Sequence, residues 1–159
     1  MVQKRDLTMA ALAVASVALV LLLGQVATFP NLEPWYAGLA KPFFNPPNWV
    51  FGPVWATLYG LMAFALWRAL RAPSTRERKN AVALFYAQLA LNAAWSWMFF
   101  AAQSPLLGLV NIVPQLIVIL AMLRAFKRVD RLACFCLVPL AVWVGFATLL
   151  NFAIWRLNG

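Results

Sequence analysis

One predicted helix of this chain carries amide and aromatic side chains on a single narrow face. The members of that face are Gln88, Asn92, Trp95 and Phe99. They follow one another at i, i+4, i+7 and i+11, the spacing that aligns side chains along a helix. Aromatic rings stack on flat molecules, and uncharged amides hydrogen-bond to them without placing an ionised group in an apolar site. The face therefore predicts noncovalent recognition of a planar hydrophobic ligand.

Two further predicted helices have faces of the same character. One carries Phe51, Trp55, Tyr59 and Met62, and the other carries Pro139, Trp143, Ala147 and Leu150 with Asn151 beside them. Trp55 and Trp143 lie deeper than a membrane interface, where an indole needs an aromatic pocket or a partner for its N–H. Amides in such helices either hydrogen-bond between helices or contact a ligand. Both roles stay open for Asn92, Asn111, Gln115 and Asn151.

The residue types that are missing exclude several kinds of chemistry. The chain has no His, and its four acidic residues lie outside the uncharged runs. Without a histidine base, Ser-His or Cys-His catalysis is excluded. A metal site and a proton-coupled pump are disfavoured, because both normally use ionisable side chains inside the bundle. We therefore expect no metal, no catalytic acid or base and no resident cofactor.

Long uncharged runs show which elements must position these side chains. The chain of 159 residues is 65% hydrophobic and 11% charged, and its uncharged runs cover 7–32, 42–67, 80–123 and 132–155. About 20 apolar residues suffice for a membrane-spanning helix, so the third run holds two spans divided at Gln103-Ser104-Pro105. The sequence predicts an all-α integral membrane protein, a bundle of five transmembrane helices. We assign it to one domain, 1–159, with spans near 7–28, 48–70, 80–102, 106–126 and 132–156.

The distribution of positive charge predicts the orientation of the bundle. Eleven of the 13 Lys and Arg residues fall on one side, which leaves Lys41 and Arg156 on the other. The positive-inside rule then places the N-terminus in the cytoplasm and the C-terminus outside, and we expect a bacterial cytoplasmic membrane. The net charge of +9 comes from short clusters between apolar runs rather than from one solvated face. We therefore expect membrane lipid around the protein and no nucleic acid partner.

The connection between the first two spans, residues 28–48, is called the lid below. It holds five of the ten prolines, which predicts a stiff segment in which helix is suppressed. Its aromatic side chains argue against disorder. An interfacial aromatic belt is the alternative interpretation for Trp35 and Trp49. For the segment as a whole, we expect a cover over a cavity between the helices.

Together these residues resemble the tryptophan-rich sensory protein or translocator protein family, also called the peripheral-type benzodiazepine receptor family. In the lid the resemblance is carried by Trp35-Tyr36-x-x-Leu39-x-Lys41-Pro42-x-Phe44-x-Pro46-Pro47. It continues through Trp49-x-Phe51-x-Pro53-x-Trp55-x-x-Leu58-Tyr59, Gln88-Leu89-x-Leu91-Asn92-x-x-Trp95, Pro139-x-x-x-Trp143 and Leu150-Asn151. The matching motifs occur in the family's order over nearly the whole chain.

The resemblance implies a receptor or sensor that binds porphyrins such as protoporphyrin IX and regulates tetrapyrrole or stress responses. Its alternatives are light-dependent porphyrin degradation, with Trp55 and Trp143 implicated, and carriage of porphyrin or sterol across the membrane. It also implies isoquinoline- or benzodiazepine-type drugs as ligands. From the helix faces and the resemblance, the predicted ligand-binding residues are Tyr36, Phe51, Trp55, Tyr59, Gln88, Asn92, Trp95, Phe99, Trp143, Ala147, Leu150 and Asn151.

Two further features bear on partners. Leu140 and Phe152 stand where the family commonly has tyrosine, so its cholesterol pattern cannot be drawn here, which weighs against sterol binding. The resemblance also implies a homodimer. The third predicted helix carries an alanine stripe that would permit close helix approach, within the protein or across a dimer. The stripe consists of Ala83, Ala87, Ala90, Ala94 and Ala101.

Overall fold

The computed structural model describes residues 2–159, with side chains described from residue 4 onward, so Met1 of the predicted domain lies outside it. Five long helices follow one another along the chain. They are α1 (Val2–Thr28), α2 (Asn48–Arg71), α3 (Arg76–Ser96), α4 (Pro105–Val129) and α5 (Arg131–Asn158). A π-helical turn, Trp97–Ala101, extends α3. The described residues form no strand, which confirms the predicted all-α class.

Four segments are long and apolar enough to cross a membrane. These segments are Lys4–Tyr36, Asn48–Arg71, Pro105–Val129 and Arg131–Asn158. The charged first turn of α3 and its amides Gln88 and Asn92 lower the hydropathy of that helix. α3 packs against α1, α2 and α4, so both of these amides are buried in protein rather than exposed to lipid. The chain is an integral membrane protein folded as a helical bundle.

Side-chain caps start three of the helices close to the predicted positions. Thr75, Ser104 and Asp130 each accept a hydrogen bond from a backbone N–H in the first turn that follows. Gln103 adopts a positive φ of 50° in the break before α4. Asp130 also forms an ion pair of 2.7 Å with Arg68, which ties the end of α2 to the start of α5.

The lid is more helical than its prolines predict. A 3-10 turn spans Phe29–Asn31, and an irregular helical segment spans Leu32–Tyr36, interrupted by extended backbone at Glu33. Pro30 lies in the first turn of its segment, where the missing N–H of proline costs no helical hydrogen bond. The expectation that proline suppresses helix throughout the lid is therefore wrong for residues 28–38, about half of the lid, and it holds for residues 39–47.

The core fills one half of the bundle and leaves space in the other. Large side chains near the α2–α3 and α4–α5 connections are fully buried, among them Leu66, Phe85, Met122, Phe126 and Leu137. A second buried cluster at the opposite end joins Tyr36 of the lid to Phe99 and Phe100. The space between the helices lies at this lid end.

Candidate ligand cavity

A cavity of about 500 Å³ lies beneath the lid and is lined by all five helices. Its volume falls in the range of small-molecule sites, about 300–1,000 Å³. Eleven of the twelve predicted ligand-binding residues line it. They are Tyr36, Phe51, Trp55, Tyr59, Asn92, Trp95, Phe99, Trp143, Ala147, Leu150 and Asn151. The structure thus brings together side chains from the lid and from α2, α3 and α5, including the π-helical turn.

Gln88 is the predicted residue that the structure places outside the cavity. It is fully buried, and its Nε2 donates to the sulfur of Met62 at 3.2 Å. It shares a helix face with Asn92 but lies one turn further from the lid, where side chains fill the interior. The expectation that Gln88 lines the same space as Asn92 is corrected accordingly.

Aromatic pairs form much of the wall. Phe51 of α2 meets Trp143 of α5 edge to face, with ring centroids 5.7 Å apart. Trp55 lies against Tyr59 at 5.4 Å. Trp55 and Trp143 are each only half-buried, so part of their ring surface remains open. Such surfaces suit a flat hydrophobic ligand, because offset stacking and edge-to-face contacts are favourable arrangements of aromatic groups.

Hydrogen bonds to neighbouring helices hold two amides of the cavity wall, Asn92 and Asn151. The Tyr59 hydroxyl donates to Asn92 Oδ1 at 2.8 Å, and Trp95 Nε1 donates to Asn151 Oδ1 at 3.1 Å. Asn151 Nδ2 in turn donates to the Pro105 carbonyl at 2.8 Å. Asn151 therefore links α3, α4 and α5 while it lines the cavity. The structure thus shows the interhelical role of Asn151, whereas its contact with a ligand stays a prediction.

Two amides of α4 behave differently from Asn151. Asn111 is buried outside the cavity lining, and its Oδ1 has no hydrogen-bond partner among the described residues. Gln115, one turn further along α4, lines the cavity and is only 2% exposed. No described residue forms a hydrogen bond with its side chain.

The lid is packed onto the end of α3. Trp35 meets the rings of Phe99 and Phe100 edge to face, at 5.6 and 6.2 Å between centroids. Tyr36 is 7% exposed and closes part of the cavity. Lys41 Nζ donates to the Tyr36 carbonyl at 2.6 Å and lies 4.5 Å from the centroid of the Tyr36 ring. Lys41 therefore stabilises the conformation of the lid through contacts within the lid itself.

A second set of hydrogen bonds ties the lid to the last turn of α5. The backbone N–H of Ala40 donates to Asn158 Oδ1, and Asn158 Nδ2 donates to the Ala40 carbonyl, each at 2.9 Å. The carboxamide thus pairs with both backbone groups of one lid residue. Closure of the lid rests in part on this single side chain.

Sequence reasoning missed the contribution of α1. Gly24, Gln25 and Thr28 line the cavity together with Leu21. Gly24 faces α3 closely, since a Cβ there would lie 3.3 Å from the Ser96 hydroxyl oxygen. The signal that could have revealed this face is the placement of small and polar residues at i, i+1 and i+4 in an otherwise apolar span.

No described residue in the lining carries a charge. The cavity can therefore stack a ligand and hydrogen-bond to it, but it supplies no ionised acid, base or counter-ion from these side chains.

Comparison with known proteins bears on the whole chain. The TspO/MBR family model matches residues 11–156. The tryptophan-rich protein TspO of Archaeoglobus fulgidus is 41% identical over 91% of this chain and 95% of its own. The human translocator protein is 39% identical over 78% of this chain and 75% of its own. The tryptophan-rich sensory protein of Cereibacter sphaeroides is 36% identical over 79% and 78%, respectively.

Proposed function

The chain belongs to the TspO/MBR family, and from that premise we propose that it is a membrane receptor or sensor whose cavity binds planar hydrophobic ligands, with protoporphyrin IX as the leading candidate. The observation that carries this proposal is the convergence of eleven predicted contacts on one uncharged cavity beneath a packed lid. Regulation of tetrapyrrole or stress responses is the proposed output. The sensory and translocator names of its relatives support a receptor role in general.

The geometry supports a particular pose for a porphyrin. The macrocycle stacks against the open surfaces of Trp55 and Trp143, and Asn92 orients it from α3. Its carboxylates stay at the mouth of the cavity, because the lining provides no positive charge to pair with them. Isoquinoline- and benzodiazepine-type drugs fit the same space. Sterol is a weaker candidate, since Phe152 is 48% exposed and does not line the cavity.

A titration of the detergent-purified protein with protoporphyrin IX in the dark tests this proposal by tryptophan quenching. We expect saturable quenching, and a Kd about tenfold weaker in the Trp55→Phe, Trp143→Phe double variant, since aromatic contacts contribute about 0.5–1.5 kcal/mol each. Trp97→Phe is the matched control, because Trp97 is 46% exposed and does not line the cavity. An unchanged Kd in the double variant would contradict the proposed pose.

Light-dependent porphyrin breakdown is a second candidate function, favoured by the presence of both Trp55 and Trp143 at the cavity wall. Illumination of the same complexes separates it from simple binding. Loss of the porphyrin absorbance bands in wild type and Trp97→Phe, but not in the double variant, supports catalysis. Porphyrin absorbance bands that stay stable under illumination of the wild-type complex would contradict catalysis and favour the receptor function.

We also propose a bacterial cytoplasmic membrane as its location, with the lid outside and the N-terminus in the cytoplasm. The positive-inside rule supports this orientation. Phe43 of the lid is fully exposed, so a Phe43→Cys variant in intact cells should react with a membrane-impermeant maleimide. Wild-type protein controls for its own two cysteines, Cys134 and Cys136. Labelling that appears only after the cells are lysed would place the lid in the cytoplasm and contradict the proposed orientation.

A further inference from the structure

We propose that Gln115 and Asn92 form a polar subsite inside the cavity that receives a neutral hydrogen-bonding edge of a planar ligand, a carbonyl next to an N–H as in a lactam. This inference rests on the proposed ligand-binding function and specifies the chemical class of ligand. Both residues line the cavity, Gln115 from α4 and Asn92 from α3.

Gln115 is the first part of the subsite. It is 2% exposed in a bundle whose interior is otherwise mostly apolar, and no described residue hydrogen-bonds to its carboxamide. The fully enclosed side-chain atoms without a partner among the described residues belong to Asn45, Gln88 and Asn111, so the carboxamide of Gln115 is not sealed in the core but borders the cavity. A ligand that fills this space without hydrogen-bonding to Gln115 would leave the carboxamide unsatisfied, at a cost of about 1–3 kcal/mol. A ligand in the adjacent space can supply both the missing donor and the missing acceptor.

Asn92 supplies a second, directional group. Its Oδ1 already accepts from the Tyr59 hydroxyl at 2.8 Å, which leaves its Nδ2 without a partner among the described residues. Asn92 thus offers a donor, whereas Gln115 offers a donor and an acceptor. Asn151 differs from both, because each end of its carboxamide is already engaged by protein.

The absence of charge in the described lining selects a neutral ligand group. A carboxylate at this position would be buried without a counter-ion, which is far more costly than burial of a neutral polar group. A lactam carries its C=O and N–H side by side and can exchange two hydrogen bonds with a carboxamide. A plain hydrocarbon of the same shape would leave Gln115 unsatisfied.

A matched pair of probes isolates this effect. Phenanthridin-6(5H)-one is a planar lactam, and phenanthrene is a hydrocarbon of nearly the same shape. Their Kd values for detergent-purified protein are measured by equilibrium dialysis for wild type, Gln115→Met and Gln88→Met. The ratio of the two Kd values is compared between variants, so that partitioning of each probe into detergent cancels. Gln88→Met is the control, because it removes a buried carboxamide that does not line the cavity.

We expect wild type to prefer the lactam and Gln115→Met to lose about tenfold of that preference, equivalent to about 1.4 kcal/mol. Gln88→Met should keep it. Gln115→Leu provides a second removal of the carboxamide in case the methionine variant folds poorly. An unchanged ratio in both Gln115 variants, or an equal loss in Gln88→Met, overturns the subsite alone. Failure of wild type to bind either probe saturably overturns the cavity function together with it.

Discussion

Replacing Asn158 by alanine removes the side chain that pairs with both backbone groups of Ala40. The substitution leaves the cavity wall untouched, because Asn158 does not line it. Its expected effect is therefore on the lid, whose closed position would lose one of its ties to the bundle. We expect bound porphyrin to dissociate faster from the Asn158→Ala variant, provided that the ligand leaves through an opened lid.

The magnitude follows from the two hydrogen bonds. Each is 2.9 Å long and lies at the exposed end of α5. A neutral hydrogen bond contributes about 0.5–1.5 kcal/mol net, and exposed ones lie in the lower part of that range. Loss of the pair should destabilise the closed lid by about 1–2 kcal/mol, which corresponds to a roughly 5- to 30-fold larger open fraction. The dissociation rate constant should rise by a similar factor.

Stopped-flow tryptophan fluorescence measures this rate directly when the complex is mixed with an excess of porphyrin-sequestering protein. Leu157→Ala is the control, because Leu157 is 53% exposed and forms no side-chain hydrogen bond with the lid. A dissociation rate that is unchanged in Asn158→Ala would refute the reasoning that this clamp limits lid opening. An equal acceleration in Leu157→Ala would assign the effect to general loosening of the last turn of α5.

Two further predictions concern stability and assembly. Burial alone would raise the pKa of Asp130, but hydrogen bonds from Arg68 and from the Ala133 N–H lower it below its ordinary value. The stability that Asp130 contributes should therefore be lost as the pH falls below about 4. In thermal melts in detergent, acidification should lower the melting temperature of Asp130→Asn less than that of wild type. An equal decrease in both proteins would contradict this prediction. Ala87 is exposed on α3, and if the alanine stripe forms the homodimer that the family resemblance implies, Ala87→Cys should cross-link in membranes. Phe135→Cys, at an exposed position of α5, should not.

The two glutamines of the interior show what helical periodicity can and cannot predict. Spacing correctly assigns Gln88 and Asn92 to one face of α3, and both are buried. Periodicity does not give depth, however, and the fully packed core begins between these two residues. For Gln115 and Asn111 the sequence leaves interhelical hydrogen bonding and ligand contact equally open. Only the rotation of α4 against α3 shows that Gln115 lines the cavity and Asn111 does not.

The lid and α1 show a different limit of sequence reasoning. Five prolines correctly mark the lid as distinct from the helices around it, yet the helical turn at Phe29–Asn31 accommodates Pro30. α1 contains a long apolar run, and mainly Gly24 and Gln25 mark the face that lines the cavity. Two such residues in a long span are too weak a signal to predict a cavity-lining face. Helix number and order follow from the lengths of the uncharged runs and the break at Gln103-Ser104-Pro105, because a membrane-spanning helix imposes a minimum length. Contacts between helices depend on tertiary packing that a single sequence does not report.

The uncharged lining of the cavity has an electrical consequence for a protein placed in an energised membrane. Moving one elementary charge through a potential of 100 mV involves about 2.3 kcal/mol of work. None of the described lining residues is ionised, so a neutral ligand can enter or leave without displacing protein charge from the cavity wall. Occupancy by such a ligand should follow its concentration in the bilayer and remain indifferent to the membrane potential.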